Sequence, residues 1–109
     1  MLNVNNLESN VAWVAGLLEA DGCFHDCRGY PEIAVEMGDK DTVEKYASFT
    51  NNAVTKKVRK NKPTWKPTYV TACSGQKAID IMHLVYPHMS IRRKERIDEI
   101  IERFHGKYV

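Results

Sequence analysis

Apolar or small residues fill every position from Val11 to Leu18, so a helix over this stretch has no polar face. In a chain of 109 residues, such a helix is covered on every side only if its own sheet takes one face and another protein surface takes the other. Ala12, Ala15 and Gly16 are three and four residues apart, on one side of the helix, where small side chains let two backbones approach closely. The pattern therefore predicts a homodimer in which two copies of this helix pair.

The rest of the chain alternates between apolar residues at period two and at helical spacing, which predicts short strands and amphipathic helices in turn. Asp39 or Asp41 can cap the second helix, and Ser90 can cap the last one. We expect one α+β domain over residues 1–109, with the element order αββαββαα. The predicted elements are a helix over 10–21, strands over 23–27 and 31–37, a helix from about 41 to 49, strands over 53–60 and 68–73, a helix over 74–86, and a helix from 91 to about 104.

The end of the first helix carries two carboxylates, Glu19 and Asp21, where the helix dipole is already negative. Gly22 then allows the backbone to turn into a strand. If two copies of the helix pair with these ends together, the two Asp21 carboxylates come close across the dimer axis. Like charges at that separation are tolerable only with a bound cation between them.

Charge is strongly segregated along the chain, although the net charge is only +2. Residues 1–44 carry nine acidic and two basic side chains, whereas residues 45–79 carry eight basic side chains and no acidic one. A single basic block of this kind is typical of a protein that binds a polyanion. A solvated, lysine-rich hairpin is the alternative interpretation.

The basic block is predicted to form a hairpin with a polar outer surface that fits a DNA groove. Thr55, Lys57 and Arg59 should face outward on its first strand, and Tyr69 and Thr71 on its second. Lysines would contact phosphates, while Arg59, Thr55 or Thr71 would approach base edges. The other basic candidates are Lys60, Lys62 and Lys66, and the residues expected to face inward are Val54, Val58, Val70 and Ala72.

Three cysteines form no disulfide framework, which suits a reducing compartment and predicts a cytoplasmic protein. The run from Val11 to Leu18 is too short to span a bilayer, so no membrane partner is expected. Cys23, His25 and Cys27 alternate along one strand and could be read as zinc ligands. A fourth ligand at a recognisable spacing is lacking, so this interpretation is the weaker one.

The segment V-A-G-L-L-E-A-D-G, from Val14 to Gly22, resembles the signature of LAGLIDADG homing endonucleases. The departures are Val14 for the leading leucine, Leu18 for isoleucine and Glu19 for the first aspartate. The resemblance implies a single-motif member, which acts as a homodimer with its motif helices packed below a DNA-binding saddle of four antiparallel strands. It implies double-stranded DNA with a pseudo-palindromic site as the partner, and hydrolysis of one phosphodiester bond on each strand.

The resemblance also implies the site residues. Asp21 and the carbonyl of Ala20 would bind magnesium or manganese. The segment Y-P-H-M-S-I-R, from Tyr86 to Arg92, resembles the family's stretch that ends in an active-site lysine, so Arg92 stands at that position with Lys94 nearby. Glu19 is included among the catalytic candidates with a smaller, supporting role at the helix end, and it also lies on the predicted dimer face.

Cations are concentrated at the start of the last helix, where they oppose the helix dipole and therefore call for an external anion. Arg93 and Lys94 are predicted to contact DNA phosphates for this reason. Two alternatives to an endonuclease remain open: a DNA- or RNA-binding regulator or splicing helper that kept the fold and lost the chemistry, and an unrelated dimeric adaptor.

Overall fold

The computed structural model describes residues 7–58, 60–61 and 64–108, with side chains described for residues 10–58, 60–61 and 64–105. Within these residues the element order is the predicted αββαββαα order, and a 3-10 turn lies at Tyr86–His88. The helices are α1 (Leu7–Asp21), α2 (Lys40–Thr50), α3 (Gln76–Val85) and α4 (Ile91–Tyr108), and the strands are β1 (Gly22–Cys27), β2 (Tyr30–Met37), β3 (Thr55–Lys57) and β4 (Thr68–Ser74).

The four strands form one antiparallel sheet with the spatial order β1-β2-β4-β3. Strands β1 and β2 are joined through Arg28 and Gly29, which both have positive φ angles, of 57° and 85°. Two left-handed residues in succession make the tight hairpin turn whose twist matches the flanking strands. The Gly29 N–H donates to the Asp26 carboxylate at 2.6 Å, which holds this turn and hence the register of β1 on β2.

One face of the sheet carries the core. Phe24, Ile33 and Cys73 are directly opposite one another on β1, β2 and β4, and all three are buried. Period-two alternation sends these residues to the helix-covered face and their neighbours to the other face. The helices contribute Val14 and Leu18 from α1, Val43 and Tyr46 from α2, Ile79, Ile81 and Met82 from α3, and Ile97 and Ile100 from α4.

Asp39 caps α2, which settles the choice between the two predicted caps. Its carboxylate accepts from the Thr42 N–H at 3.4 Å and from the Thr42 hydroxyl at 2.8 Å. Ser90 caps α4 as predicted, because its hydroxyl accepts from the Arg93 N–H at 3.4 Å. No helix within the described residues is long and apolar enough to cross a membrane.

The predicted orientation of β4 is wrong. Thr71 is 2% exposed and lies on the helix-covered face, where its hydroxyl donates to the Ala53 carbonyl at 2.8 Å. Tyr69 lies on the same face and packs against the core, while Ala72 is exposed on the other face. The sequence T-Y-V-T-A-C-S has no clear apolar alternation, so the register is set by pairing with β2, where Thr71 is opposite buried Val35.

The first strand of the basic hairpin is also shorter than the predicted 53–60, since β3 contains only Thr55–Lys57. Val54 packs against the core as expected, but Val58 is 58% exposed and lies beyond the strand. Its apolar character favoured a buried position. Hydrophobicity at a single residue, however, does not reveal where a strand stops pairing.

Candidate active site

Asp21 is the last residue of α1 and is exposed. Within the part of the chain that the structure describes, its carboxylate has no hydrogen bond and no ion pair. Gly22 follows at once and begins β1, and a Cβ added there would lie 2.7 Å from the Leu18 side chain and 2.8 Å from the Leu18 carbonyl oxygen. Only glycine therefore allows the abrupt passage from helix to strand that leaves Asp21 at the helix end.

The surface of α1 that leads to Asp21 is lined by Ala12, Gly16 and Ala20, which are exposed in the protomer and spaced four residues apart. We call these three residues the open stripe. A Cβ added at Gly16 would meet nothing within 4 Å, so the protomer itself gives no steric reason for glycine there. The prediction that α1 has one small-residue face not covered by its own domain is consistent with this arrangement.

Ala15 does not share that face. It is 3% exposed and belongs to the protomer's own core together with Val14 and Leu18. The prediction put Ala15 on the same side as Ala12 and Gly16, but adjacent residues are about 100° apart around a helix, so Ala15 faces away from the side that Gly16 occupies. We therefore leave Ala15 out of the interface proposed below.

Arg93 binds the end of α1 from the first turn of α4. Its guanidinium donates to the Glu19 carbonyl at 3.0 Å and to the Gly22 carbonyl at 2.8 Å, on either side of Asp21. Carbonyls at a helix C-terminus lack intrahelical partners, and a cation there also opposes the negative end of the dipole. The side chain is only 19% exposed and holds this junction together, while the predicted phosphate contact of Arg93 stays a prediction.

The Glu19 carboxylate reaches the N-terminus of α4. Its Oε1 accepts from the Ser90 N–H at 2.8 Å, and its Oε2 lies 3.9 Å from Arg93 Nε. The hydrogen bond from the Ser90 N–H is the main cause that holds the pKa of Glu19 below its ordinary value, and the positive charges of Arg93 and Arg92 add to it. Glu19 is thus ionised and engaged within its own protomer.

Arg92 lies on an open cleft of about 410 Å³ that begins at Gly22, the residue after Asp21. The side chain of Arg92 is exposed, whereas Arg96 donates to the Phe24 carbonyl at 3.3 Å and so binds the edge strand. An exposed guanidinium on a cleft that reaches the residue after Asp21 provides a place for a phosphate group. The cleft is lined by Gly22, Cys23, Phe24, His25, Arg92, Arg93 and Arg96.

His25 was considered in the sequence only as a zinc ligand with Cys23 and Cys27. The three residues are exposed on the outer face of β1, and Cys23 and Cys27, four residues apart on the strand, lie ~14 Å apart, too far for one tetrahedral zinc. Among the described residues no group of three His, Cys, Asp or Glu side chains is placed to hold a metal. The structure instead places His25 in the cleft with Arg92, which its position in the strand directly after Asp21 could have indicated.

The basic hairpin comprises β3, β4 and the residues between them. Thr55 and Lys57 are exposed and, by their pairing with Val70 and Thr68, lie on the outer face as predicted. Lys57 Nζ is 3.7 Å from the carboxylate of Glu36 on β2, so part of its charge is neutralised within the protomer.

Beyond β3, Lys60 and Lys66 are exposed, whereas Arg59 and Lys62 lie outside the described residues. Trp65, which was not among the predicted DNA contacts, is 54% exposed between these lysines. Its position between Thr64 and Lys66 in a basic loop could have indicated a nucleic-acid contact, since aromatic rings stack on bases. Lys94 is half-buried, with its Nζ 5.5 Å from the centroid of the Tyr86 ring.

Comparison with known proteins gives matches among solved structures, whereas no protein-family model and no curated protein sequence matches the chain. The archaeal intron-encoded homing endonuclease I-Vdi141I, solved in complex with DNA, matches with a TM-score of 0.61 at 16% identity, over 83% of this chain and 64% of that one. The homing endonuclease I-CvuI, in complex with its own target in the presence of calcium, matches with a TM-score of 0.60 at 14% identity, over 96% of this chain and 73% of that one. I-CvuI with the I-CreI target and magnesium, a complex in which the DNA is not cleaved, matches with a TM-score of 0.58 at 13% identity, over 87% and 68%.

These matches show that the chain has the fold of homing endonucleases, a mixed α+β structure built on a four-stranded antiparallel sheet. They confirm, at the level of the fold, the resemblance to LAGLIDADG homing endonucleases that the segment from Val14 to Gly22 carries. The chain spans 64% of the length of I-Vdi141I.

Proposed function

We propose that this chain is a site-specific DNA endonuclease that works as a homodimer and hydrolyses both strands of the duplex with a divalent metal. The observation that carries the proposal is the exposed Asp21 carboxylate, which has no partner within the described protomer and stands at the end of the open stripe. The shared fold supports it, because the structures that match are homing endonucleases solved with DNA.

The dimer proposed here forms when the open stripes of two copies pack against each other. Ala12, Gly16 and Ala20 present no side chain longer than a methyl group, so the two helices can come close enough for extensive backbone contact. If the two-fold axis runs along the paired helices, the helices pair with the same ends together, and both Asp21 side chains come to one end of the interface.

The residues at this end suit a hard divalent cation. Asp21 offers carboxylate oxygens and Ala20 a carbonyl at a helix end, which are the ligand types that magnesium and manganese prefer. One protomer supplies too few of these ligands for an octahedral site, which a partner's Asp21, DNA phosphates and waters would complete. The bound cation would activate a water for attack and stabilise negative charge on the scissile phosphate and the leaving 3′ oxygen.

A set of basic and polar residues would bind and orient the DNA. Arg92 would stabilise the phosphate electrostatically, but its guanidinium does not lose a proton and so cannot transfer one. Thr55 and Lys57 on the outer face of β3, with Lys60 and Lys66 beyond it, would contact the duplex, together with Arg59, Lys62 and Lys94. Two such surfaces related by a dyad would read inverted half-sites, that is, a pseudo-palindromic target.

Selection from a randomised duplex library, with and without magnesium, would identify the sequence that the protein binds and show whether it is cut. On that duplex, Asp21→Asn should abolish cleavage and keep most of the binding, because it removes a metal ligand and preserves the shape of the side chain. Asp41→Asn, an equivalent change at an exposed position on α2, serves as the control and should cut normally. Normal cleavage by Asp21→Asn would refute the assignment.

The second candidate function is a DNA- or RNA-binding protein of the same fold that does not cleave. It is favoured by Arg92, because an arginine occupies the position where the family resemblance expects lysine. This candidate predicts sequence-selective binding that does not need metal and leaves the duplex intact. Negligible affinity even at low salt would instead exclude both functions.

A further inference from the structure

The start of α4 is capped by a residue that is distant in the sequence. Ser90 caps the helix with its hydroxyl, which accepts from the Arg93 N–H at 3.4 Å. In a capping box the N–H of the cap residue is in turn satisfied by a glutamate or glutamine three residues later. That position holds Arg93 here, and the missing acceptor is the Glu19 carboxylate of α1, 71 residues away, at 2.8 Å from the Ser90 N.

Arg93 makes the reciprocal connection. It donates to the backbone carbonyls of Glu19 at 3.0 Å and of Gly22 at 2.8 Å. Both sets of contacts lie at the same junction, where the end of α1 meets the beginning of α4. They flank Asp21, which lies between Glu19 and Gly22, and they flank Arg92, which lies between Ser90 and Arg93.

We propose that Glu19 is a positioning residue whose carboxylate completes the cap of α4 and thereby fixes Arg92 relative to Asp21. This role explains an acidic side chain at a helix C-terminus, where it opposes the dipole of its own helix. The same carboxylate lies at the N-terminus of α4, where a negative charge is favourable. The catalytic consequence depends on the proposed endonuclease function, but the cap and the placement of Arg92 are properties of the free protein.

A positioning role places different requirements on the Glu19 side chain than a role as a metal ligand or a general base. A ligand or base must present a charged oxygen to the reaction, whereas the cap needs only an acceptor of the right length. Glutamine provides that acceptor through its amide oxygen and lacks the charge. Glu19→Gln should therefore resemble the native protein, and Glu19→Ala should not.

The first test uses amide exchange and ¹⁵N relaxation of the free protein, in the native chain, Glu19→Gln and Glu19→Ala. In the alanine variant the Ser90 amide should exchange about tenfold faster, because it loses a hydrogen bond to a charged acceptor. The order parameter of the Arg92 amide should fall from about 0.85 toward 0.6 as the first turn of α4 loosens. The control is Glu99→Ala, which removes an exposed α4 carboxylate that has no hydrogen bond or ion pair within the described residues. Unchanged values at Ser90 and Arg92 in Glu19→Ala would overturn the proposal.

The second test measures the single-turnover cleavage rate and the DNA dissociation constant of the same variants. Glu19→Ala should cut at least tenfold more slowly at an unchanged Kd, and Glu19→Gln should stay within about threefold of the native rate. A glutamine variant as inactive as the alanine variant would assign Glu19 to the chemistry and refute the positioning role. If Glu19→Ala fails to fold, the cleavage rate of Glu19→Gln relative to the native protein still distinguishes the positioning role from a role in the chemistry. If the native protein cuts no duplex, the proposed function fails, while the measurements on the free protein still decide the cap.

Discussion

Gly16 provides a test of the dimer in which stability and association should move in opposite directions. In the protomer, a Cβ at this position meets nothing within 4 Å, so Gly16→Ala introduces no clash. Alanine in a helix interior is more favourable than glycine by about 0.8–1.0 kcal/mol. The melting temperature of the isolated protomer should therefore rise by about 4–5 °C, a shift typical of a domain of about 100 residues.

The dimer should respond differently, because the two-fold axis places both new methyl groups in one closely packed interface. Overpacking a tight contact costs about 1–3 kcal/mol, so the dimer dissociation constant should rise about 5- to 150-fold. Gly16→Leu should abolish the dimer. Sedimentation equilibrium over a range of concentrations gives the dissociation constant, and calorimetry well below that constant gives the melting temperature of the protomer.

The control is Ser48→Leu, an exposed position on α2 away from the open stripe, which should leave association unchanged. A native-like dissociation constant in Gly16→Leu would show that the open stripe is not the interface. A native chain that stays monomeric at high concentration, and also in the presence of its duplex, would refute the dimer altogether.

The orientation of β4 and the acid sensitivity of the fold give further predictions. Thr71→Val should lower the free energy of unfolding by about 1 kcal/mol, because the Ala53 carbonyl loses its hydrogen-bond donor. DNA affinity should stay unchanged, because the side chain faces the core. Urea unfolding measures the first quantity and a binding titration the second, and a large loss of affinity would contradict the inward orientation. The pKa of Glu19 is lowered mainly by the hydrogen bond from Ser90, and the pKa of Asp26 mainly by the hydrogen bond from Arg103. A carboxylate with a lowered pKa in the folded state contributes stability above its ordinary pKa, 4.5 for Glu19 and 3.8 for Asp26, and that stability is lost as the pH falls through the lowered value. The urea midpoint should therefore fall on acidification below about pH 4.5, and the fall should be smaller in the Glu19→Gln, Asp26→Asn double variant; equal slopes would contradict the assignment.

Element types and their order follow from local patterns, which is why the sequence predicts them well. The period-two run of Ile33, Val35 and Met37 determines both the existence of β2 and its inward face, because one-sided burial admits a single register. The mixed residues of β4 carry no such signal. Their orientation is decided by pairing with a strand that is distant in the sequence, and this is where the prediction failed.

The candidate site divides in the same way. Asp21 and Gly22 can be placed from the sequence, because the change from helix to strand is a local event at one glycine. The role of Arg93 cannot, since a cation at a helix start looks available for an external anion until the carbonyls of a second helix are brought beside it. The same limit applies to Ala15, whose burial depends on which side of α1 the sheet covers.

The sequence by itself determined the elements, their order, the small-residue helix that ends in Asp21 and the separation of basic from acidic segments. All of these depend on residues within one or two helical turns of each other or on simple composition. The tertiary structure alone decided which face of β4 is buried, that Lys57 pairs with Glu36, and that Glu19 caps a helix 71 residues away. Hydrogen bonds and ion pairs between distant segments depend on packing, and no local pattern of residue types encodes which of several possible partners is brought within reach.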